Sequence, residues 1–136
     1  MSKPIPSISK YMTTTPHTIE GTVTLAAAEK LMQDHGIRHL PVMSGAKLLG
    51  VITERDIRYV ASFSIVDPAQ VTVNGAMSED LYAVSPETPL DQVVGTMAEK
   101  KYGSAVVVQN ERVVGVFTTV DACRALSELL STRLRG

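Results

Sequence analysis

The chain has 136 residues, of which 44% are hydrophobic and 20% charged, and its 13 basic and 14 acidic side chains leave a net charge of -1. That balance belongs to a globular chain with a core of its own and excludes a disordered one; it offers no pull toward nucleic acid or an anionic membrane surface. A single cysteine, Cys123, excludes an internal disulfide, the opening Met1-Ser2-Lys3-Pro4-Ile5-Pro6 lacks the apolar core of a signal peptide, and no apolar run approaches the roughly 20 residues of a membrane helix, so a soluble cytoplasmic protein is expected.

In chain order, the first predicted element is a short extended piece at Thr18-Ile19. A helix follows from Leu25 to His35, with Leu25, Ala28, Leu31, Met32 and His35 on one face. Two apolar runs, Leu40 to Met43 and Leu48 to Ile52, are split by Ser44-Gly45-Ala46 and read as a hairpin. A closing helix begins near Thr53. Residues 64–74, with Asp67-Pro68 and an Asn74-Gly75 step at the end, read as a linker. The series then starts again. Ala83-Val84 is extended. Thr88-Pro89-Leu90-Asp91 predicts a cap, a proline at the first helical position and an early acid, ahead of the face Leu90, Val93, Val94 and Met97. Ala105 to Val108 and Val113 to Phe117 form a second hairpin, and a last helix starts near Thr118.

The recurrence is an internal repeat. Gly50-Val51-Ile52-Thr53-Glu54-Arg55-Asp56 returns as Gly115-Val116-Phe117-Thr118-Thr119-Val120-Asp121, an offset of 65 residues (115 − 50). The same offset pairs Met12 with Met77, Leu25 with Leu90, Met32 with Met97 and Val42 with Val107. The expected fold is therefore α/β, of the α+β kind: two βαββα repeats about a pseudo-twofold axis. Their expected extents are residues 10–63 and 75–132, with the linker between.

With these features the chain resembles a tandem pair of CBS domains, also called a Bateman module. Three features carry the resemblance: a methionine ahead of the first strand of each copy, the strand Ile37-Arg38-His39-Leu40-Pro41-Val42, and Gly-Val-x-Thr-x-x-Asp present twice. Copy two departs at Gly103-Ser104-Ala105-Val106-Val107, which lacks the Leu-Pro step. The resemblance implies a regulatory module, not an enzyme. It implies an adenine nucleotide in the cleft between the repeats: AMP, ADP or ATP, with NAD(H) or S-adenosylmethionine as further family ligands. It also implies a homodimer and a regulated partner protein. The alternative is a ligand-free interaction scaffold.

The residue types fit such chemistry. Thr53 and Asp56, like Thr118 and Asp121, lie three apart where a helix starts, beside unpaired N–H groups that suit a phosphate. A carboxylate there can accept both hydroxyls of a ribose. The resemblance sets aspartate on ribose, threonine near phosphate, and adenine against Thr18-Ile19 or Ala83-Val84. Thr-x-x-Asp is equally a capping box, so both roles stand together. Arg38 and His39 fall where the family places basic residues near phosphates, or else form a solvated edge. Arg55 adds phosphate affinity to copy one if it turns toward the ligand. His35 and His39 have helical metal spacing, but Gly36 breaks that helix and no third ligand is evident, so no metal site is expected. Cys123 reads as a buried structural thiol. No catalytic set is recognisable. The closing helices carry apolar stripes, Ile57, Val60, Ala61 and Phe63 in one and Ala122, Ala125, Leu126, Leu129 and Leu130 in the other, which a dimer would bury.

Overall fold

The computed structural model describes residues 4–14 and 17–133. The described elements run β1 (Thr13–Thr14), β2 (Ile19–Glu20), α1 (Leu25–His35), β3 (His39–Ser44), β4 (Lys47–Thr53), α2 (Glu54–Ala61), β5 (Ala83–Val84), α3 (Leu90–Lys100), β6 (Ser104–Gln109), β7 (Arg112–Thr118) and α4 (Thr119–Arg133). Each repeat thus forms strand, helix, hairpin, helix, and the class is mixed α+β. The first strand of copy one lies one residue later than the sequence predicts, because Ile19 pairs with Val42 and Glu20 with Met43. No described helix is long and apolar enough to cross a membrane.

Two compact units result: one is His17–Leu81, and the other joins the residues up to 14 with those from Tyr82 onward. In the first, β2 is parallel to β3 and β3 antiparallel to β4. Its core is Ile19, Leu25, Ala28, Met32, Leu40, Val42, Ile52, Ile57 and Val73. In the second, the sheet order is β1-β7-β6-β5, around a core of Ile8, Leu90, Val93, Met97, Ala105, Val107, Phe117 and Ala125. The predicted helical faces supply Leu25, Ala28 and Met32 to the first core and Leu90, Val93 and Met97 to the second, whereas His35, expected on the same face, is exposed.

The hairpins are built alike. A register shift falls at Val42/Met43 in one and at Val107/Val108 in the other, which are equivalent repeat positions. The two-residue turns differ: only Gly45 has a positive φ in the first, whereas both Asn110 (φ 52) and Glu111 (φ 62) do in the second, the pattern of a type I′ turn between twisted strands.

The helix starts differ too. Thr24 caps α1 through its side chain, which accepts from the Ala27 N–H at 3.2 Å. The expected cap of α3 is shifted by one. Pro89 is itself the cap residue and makes no side-chain cap bond, while the Thr88 hydroxyl pairs with the Ser85 hydroxyl at 3.1 Å.

Each unit is completed by a short segment that precedes the other copy in sequence. Ile8 opens a 3-10 turn (Ile8–Lys10) and is fully buried in the second unit; Val73 opens the matching turn (Val73–Gly75) and is fully buried in the first. The supporting bonds match as well: Leu90 N–H donates to the Pro6 carbonyl and Leu25 N–H to the Val71 carbonyl, both at 2.9 Å. The stretch read as a linker is therefore docked, with Pro68 and Val71 accepting from the first turn of α1. Burying one such side chain contributes about 1.5–3 kcal/mol.

The repeated glycines admit these segments. A Cβ at Gly50 would collide with the Ser78 carbonyl, and one at Gly115 would lie 2.7 Å from Met12 Sδ and 3.0 Å from the Thr13 carbonyl. Ser78 forms a two-way backbone bridge with Val51, and β1 pairs with β7 through Thr13 opposite Val116 and Thr14 opposite Gly115. Gly50→Ala should cost about 1–3 kcal/mol, because the obstacle is backbone. Gly115→Ala should cost less, because the nearest atom belongs to a pliable thioether. Denaturant melts of both variants check this; a Gly50→Ala protein as stable as the parent would contradict it.

Candidate functional site

In copy one, β4 runs straight into α2. Thr53 is the last strand residue and the helix cap. Its hydroxyl accepts from the Asp56 N–H at 3.0 Å, and Asp56 Oδ2 accepts from the Thr53 N–H at 2.9 Å. This complete capping box fixes both side chains at the mouth of the helix. Asp56 is half-buried. His39 is the cross-strand partner of Thr53 and half-buried, so three of the residues singled out in copy one are neighbours.

Copy two repeats the junction with added contacts. Asp121 Oδ2 accepts from the Thr118 N–H at 3.0 Å and hydroxyl at 3.2 Å, and from the Thr13 hydroxyl at 3.4 Å. Oδ1 accepts from Arg124 Nη1 at 3.1 Å. Asp121 is only 5% exposed and is the sole buried charged residue among those described. Four donors to one carboxylate offset the cost of burying its charge. Ser104 stands opposite Thr118, as His39 stands opposite Thr53.

The other singled-out residues are placed as follows. Thr18 is exposed just ahead of β2. Ile19 is 8% exposed and belongs to the core, so only its backbone is available to a base. Ala83 is exposed and Val84 packs against the core of its unit. Arg38 is turned to Glu54, with Nε 3.5 Å from Oε2, and Arg58 pairs with the same carboxylate. This trio lines a recess of about 360 Å³ together with Glu29, Met32, Gln33, Gly36 and Ile37. Arg55 is exposed on the first turn of α2, as is its counterpart Val120 on α4.

Several features escaped the sequence reading. His35 stacks on His17, with ring centroids 3.8 Å apart, instead of facing His39. Tyr82, the repeat equivalent of His17, stacks on Tyr102 at 5.5 Å. An aromatic ring therefore precedes the first strand of each copy and leans on a second ring. The partners sit at non-equivalent positions, which hides the pattern from a fixed-register comparison. Arg124 and Thr13 were also missed, since neither belongs to the heptamer. Cys123 is exposed, contrary to the expected buried thiol. The inward face of α4 is set by Asp121 and Ala125, and a residue two positions from each points the other way. The apolar stripes are partly consumed at home: Ile57 and Ala125 are buried, and Val60, Ala122 and Leu129 pack on their own cores.

Comparison with known proteins agrees with this geometry. The family model described as "CBS domain" matches residues 7–62 and again 71–128. Inosine-5'-monophosphate dehydrogenase of Korarchaeum cryptofilum is 28% identical over 134 residues; these are 98% of this chain but 27% of that protein. The hexameric CBS-CP12 protein from bloom-forming cyanobacteria superposes with a TM-score of 0.85 at 28% identity, covering 97% of this chain and 78% of that one. The CBS domain pair of protein MJ0100, solved in complex with 5'-methylthioadenosine and S-adenosyl-L-methionine, superposes at 0.83 with 26% identity, covering 92% and 98%. With both copies matched and the architecture shared, this chain belongs to the CBS domain family and carries two of its domains in tandem.

Proposed function

We propose that this chain is a regulatory sensor that binds an adenine nucleotide at its strand-to-helix junctions and passes occupancy to a partner protein. The observation that carries the reading is the paired Thr-x-x-Asp junction, held rigid by a capping box and formed by a chain similar to an adenosine-ligand-binding pair. The base lies against the first strand, Thr18-Ile19 or Ala83-Val84, and takes backbone hydrogen bonds there. The ribose diol faces the aspartate, Asp56 or Asp121, and the threonine, Thr53 or Thr118, meets the sugar or first phosphate. Arg38, His39 and Arg55 give copy one its phosphate preference, hence AMP, ADP, ATP or NAD(H) ahead of S-adenosylmethionine. The module acts by binding and not by turnover, in the cytoplasm.

A second reading is an interaction scaffold. The capping boxes favour it, because Thr53 and Asp56 satisfy each other without a ligand. Melting temperature and calorimetry separate the two. Adenine nucleotides should raise the melting temperature where guanine nucleotides do not, and Asp56→Ala should weaken binding about 10- to 100-fold, as loss of a hydrogen bond to a charged group implies. A flat response to every adenine compound leaves the scaffold. Arg38→Ala and Arg55→Ala should narrow the preference for ATP over AMP; an unchanged preference contradicts their phosphate role.

We also infer a homodimer. On α4, Leu126 (58%) and Leu130 (47%) lie four apart and exposed, and beyond α2 Phe63 and Ile65 are exposed as well. Twofold closure is the commonest way to cover such surface. Light scattering should give about twice 14.6 kDa, falling to a single chain on Leu126→Glu with helicity retained. A single-chain mass for the parent protein refutes the dimer.

A further inference from the structure

The two aspartates of the repeat are in different states. Asp56 commits Oδ2 to the Thr53 N–H, and no donor to its Oδ1 is present among the described residues. Asp121 commits both oxygens: Oδ2 to Thr118 and Thr13, Oδ1 to Arg124. At Oδ1 the difference comes from one repeat position. Where copy two has Arg124, copy one has Tyr59, which is turned away into an edge-on contact with Phe63 at 5.4 Å. The arginine is 72% exposed while the carboxylate it holds is 6% exposed, so a solvent-facing cation covers an almost buried acceptor.

We propose that Arg124 is a latch that closes the copy-two carboxylate to a ribose diol, leaving Asp56 as the open acceptor. The proposal rests on the nucleotide-binding reading above. A diol donates two hydrogen bonds, and a carboxylate has about four lone-pair positions to receive them. At Asp121 three of its four donors come from Thr13 and Thr118, which the fold fixes. A diol therefore enters most readily by displacing Arg124, whose long side chain reaches Asp121 from solvent, whereas Thr118 is held at the strand-to-helix junction and the exposed Thr13 by its backbone pairing with Val116. Displacement leaves a nearly buried carboxylate without its cation, a cost that Asp56 does not meet. The chain then carries one ready site and one held shut, and a ligand bearing its own cationic group is better suited to replace Arg124 than a plain nucleoside.

Calorimetry with adenosine, which isolates the base and ribose contacts, tests the latch. Asp56→Asn should weaken binding at least about tenfold, and Asp121→Asn should change it less than about twofold. In the Asp56→Asn background, Arg124→Ala should strengthen the residual binding about fivefold, the scale of an ion pair with one exposed partner. Equal losses from the two aspartate variants, or weaker binding on Arg124→Ala, overturn the latch. A ligand-free readout separates this failure from that of the binding reading. Arg124 should show slow guanidinium rotation by NMR, lost on Asp121→Asn; a freely averaging signal in the parent protein overturns the latch even if adenosine binds. No adenosine binding in any variant overturns the nucleotide reading, and the latch with it.

Discussion

Each βαββα unit has a hole in its core, and the plug comes from the segment of chain that precedes the other copy. Ile8 fills one hole and Val73 the other, at equivalent repeat positions and both without exposed surface. A sheet of three or four short strands with two helices has little apolar area to spare, so one fully buried aliphatic residue is a substantial fraction of the net stability. The exchange also supplies backbone partners: Ser78 to Val51 on one side, and Thr13 and Thr14 to β7 on the other.

The same seven residues that admit the plug also carry the candidate site. Gly50 and Gly115 must lack a side chain so that the incoming segment can lie against the strand. Three residues later the strand ends in Thr53 or Thr118, and three beyond that stands the aspartate. What happens at the helix mouth is therefore mechanically close to what holds the unit together. In copy two the link is direct, since the Thr13 hydroxyl of β1 donates to Asp121. A ligand that draws on that carboxylate competes with the docked segment and the arginine together, which is a physical route from occupancy to a change in shape.

Much of this was legible in the sequence because the period is strict. The 65-residue register exposes the order of elements, the helical faces and the paired heptamers. The docked segments were not legible. The identities that fix the register begin at Met12, and Ile8 and Val73 share apolar character but not identity. The shift of β2 by one residue follows from tertiary pairing, which a two-residue strand cannot announce. Stacked rings such as His17 on His35 join residues far apart in sequence and at unmatched repeat positions. At the site, residue types indicated which groups stand at the helix mouth. Which carboxylate oxygens are already engaged depends on Thr13 and Arg124, side chains outside the motif.

Everything proposed for this chain turns on an open adenine-nucleotide site in copy one at the start of α2. Amide chemical-shift mapping during an AMP titration tests it most directly. The largest shifts should fall on Thr18, Ile19, His39 and Thr53 to Asp56, with smaller ones at Ala83, Thr118 and Asp121. Shifts confined to other surfaces, or none at saturating AMP, would contradict it.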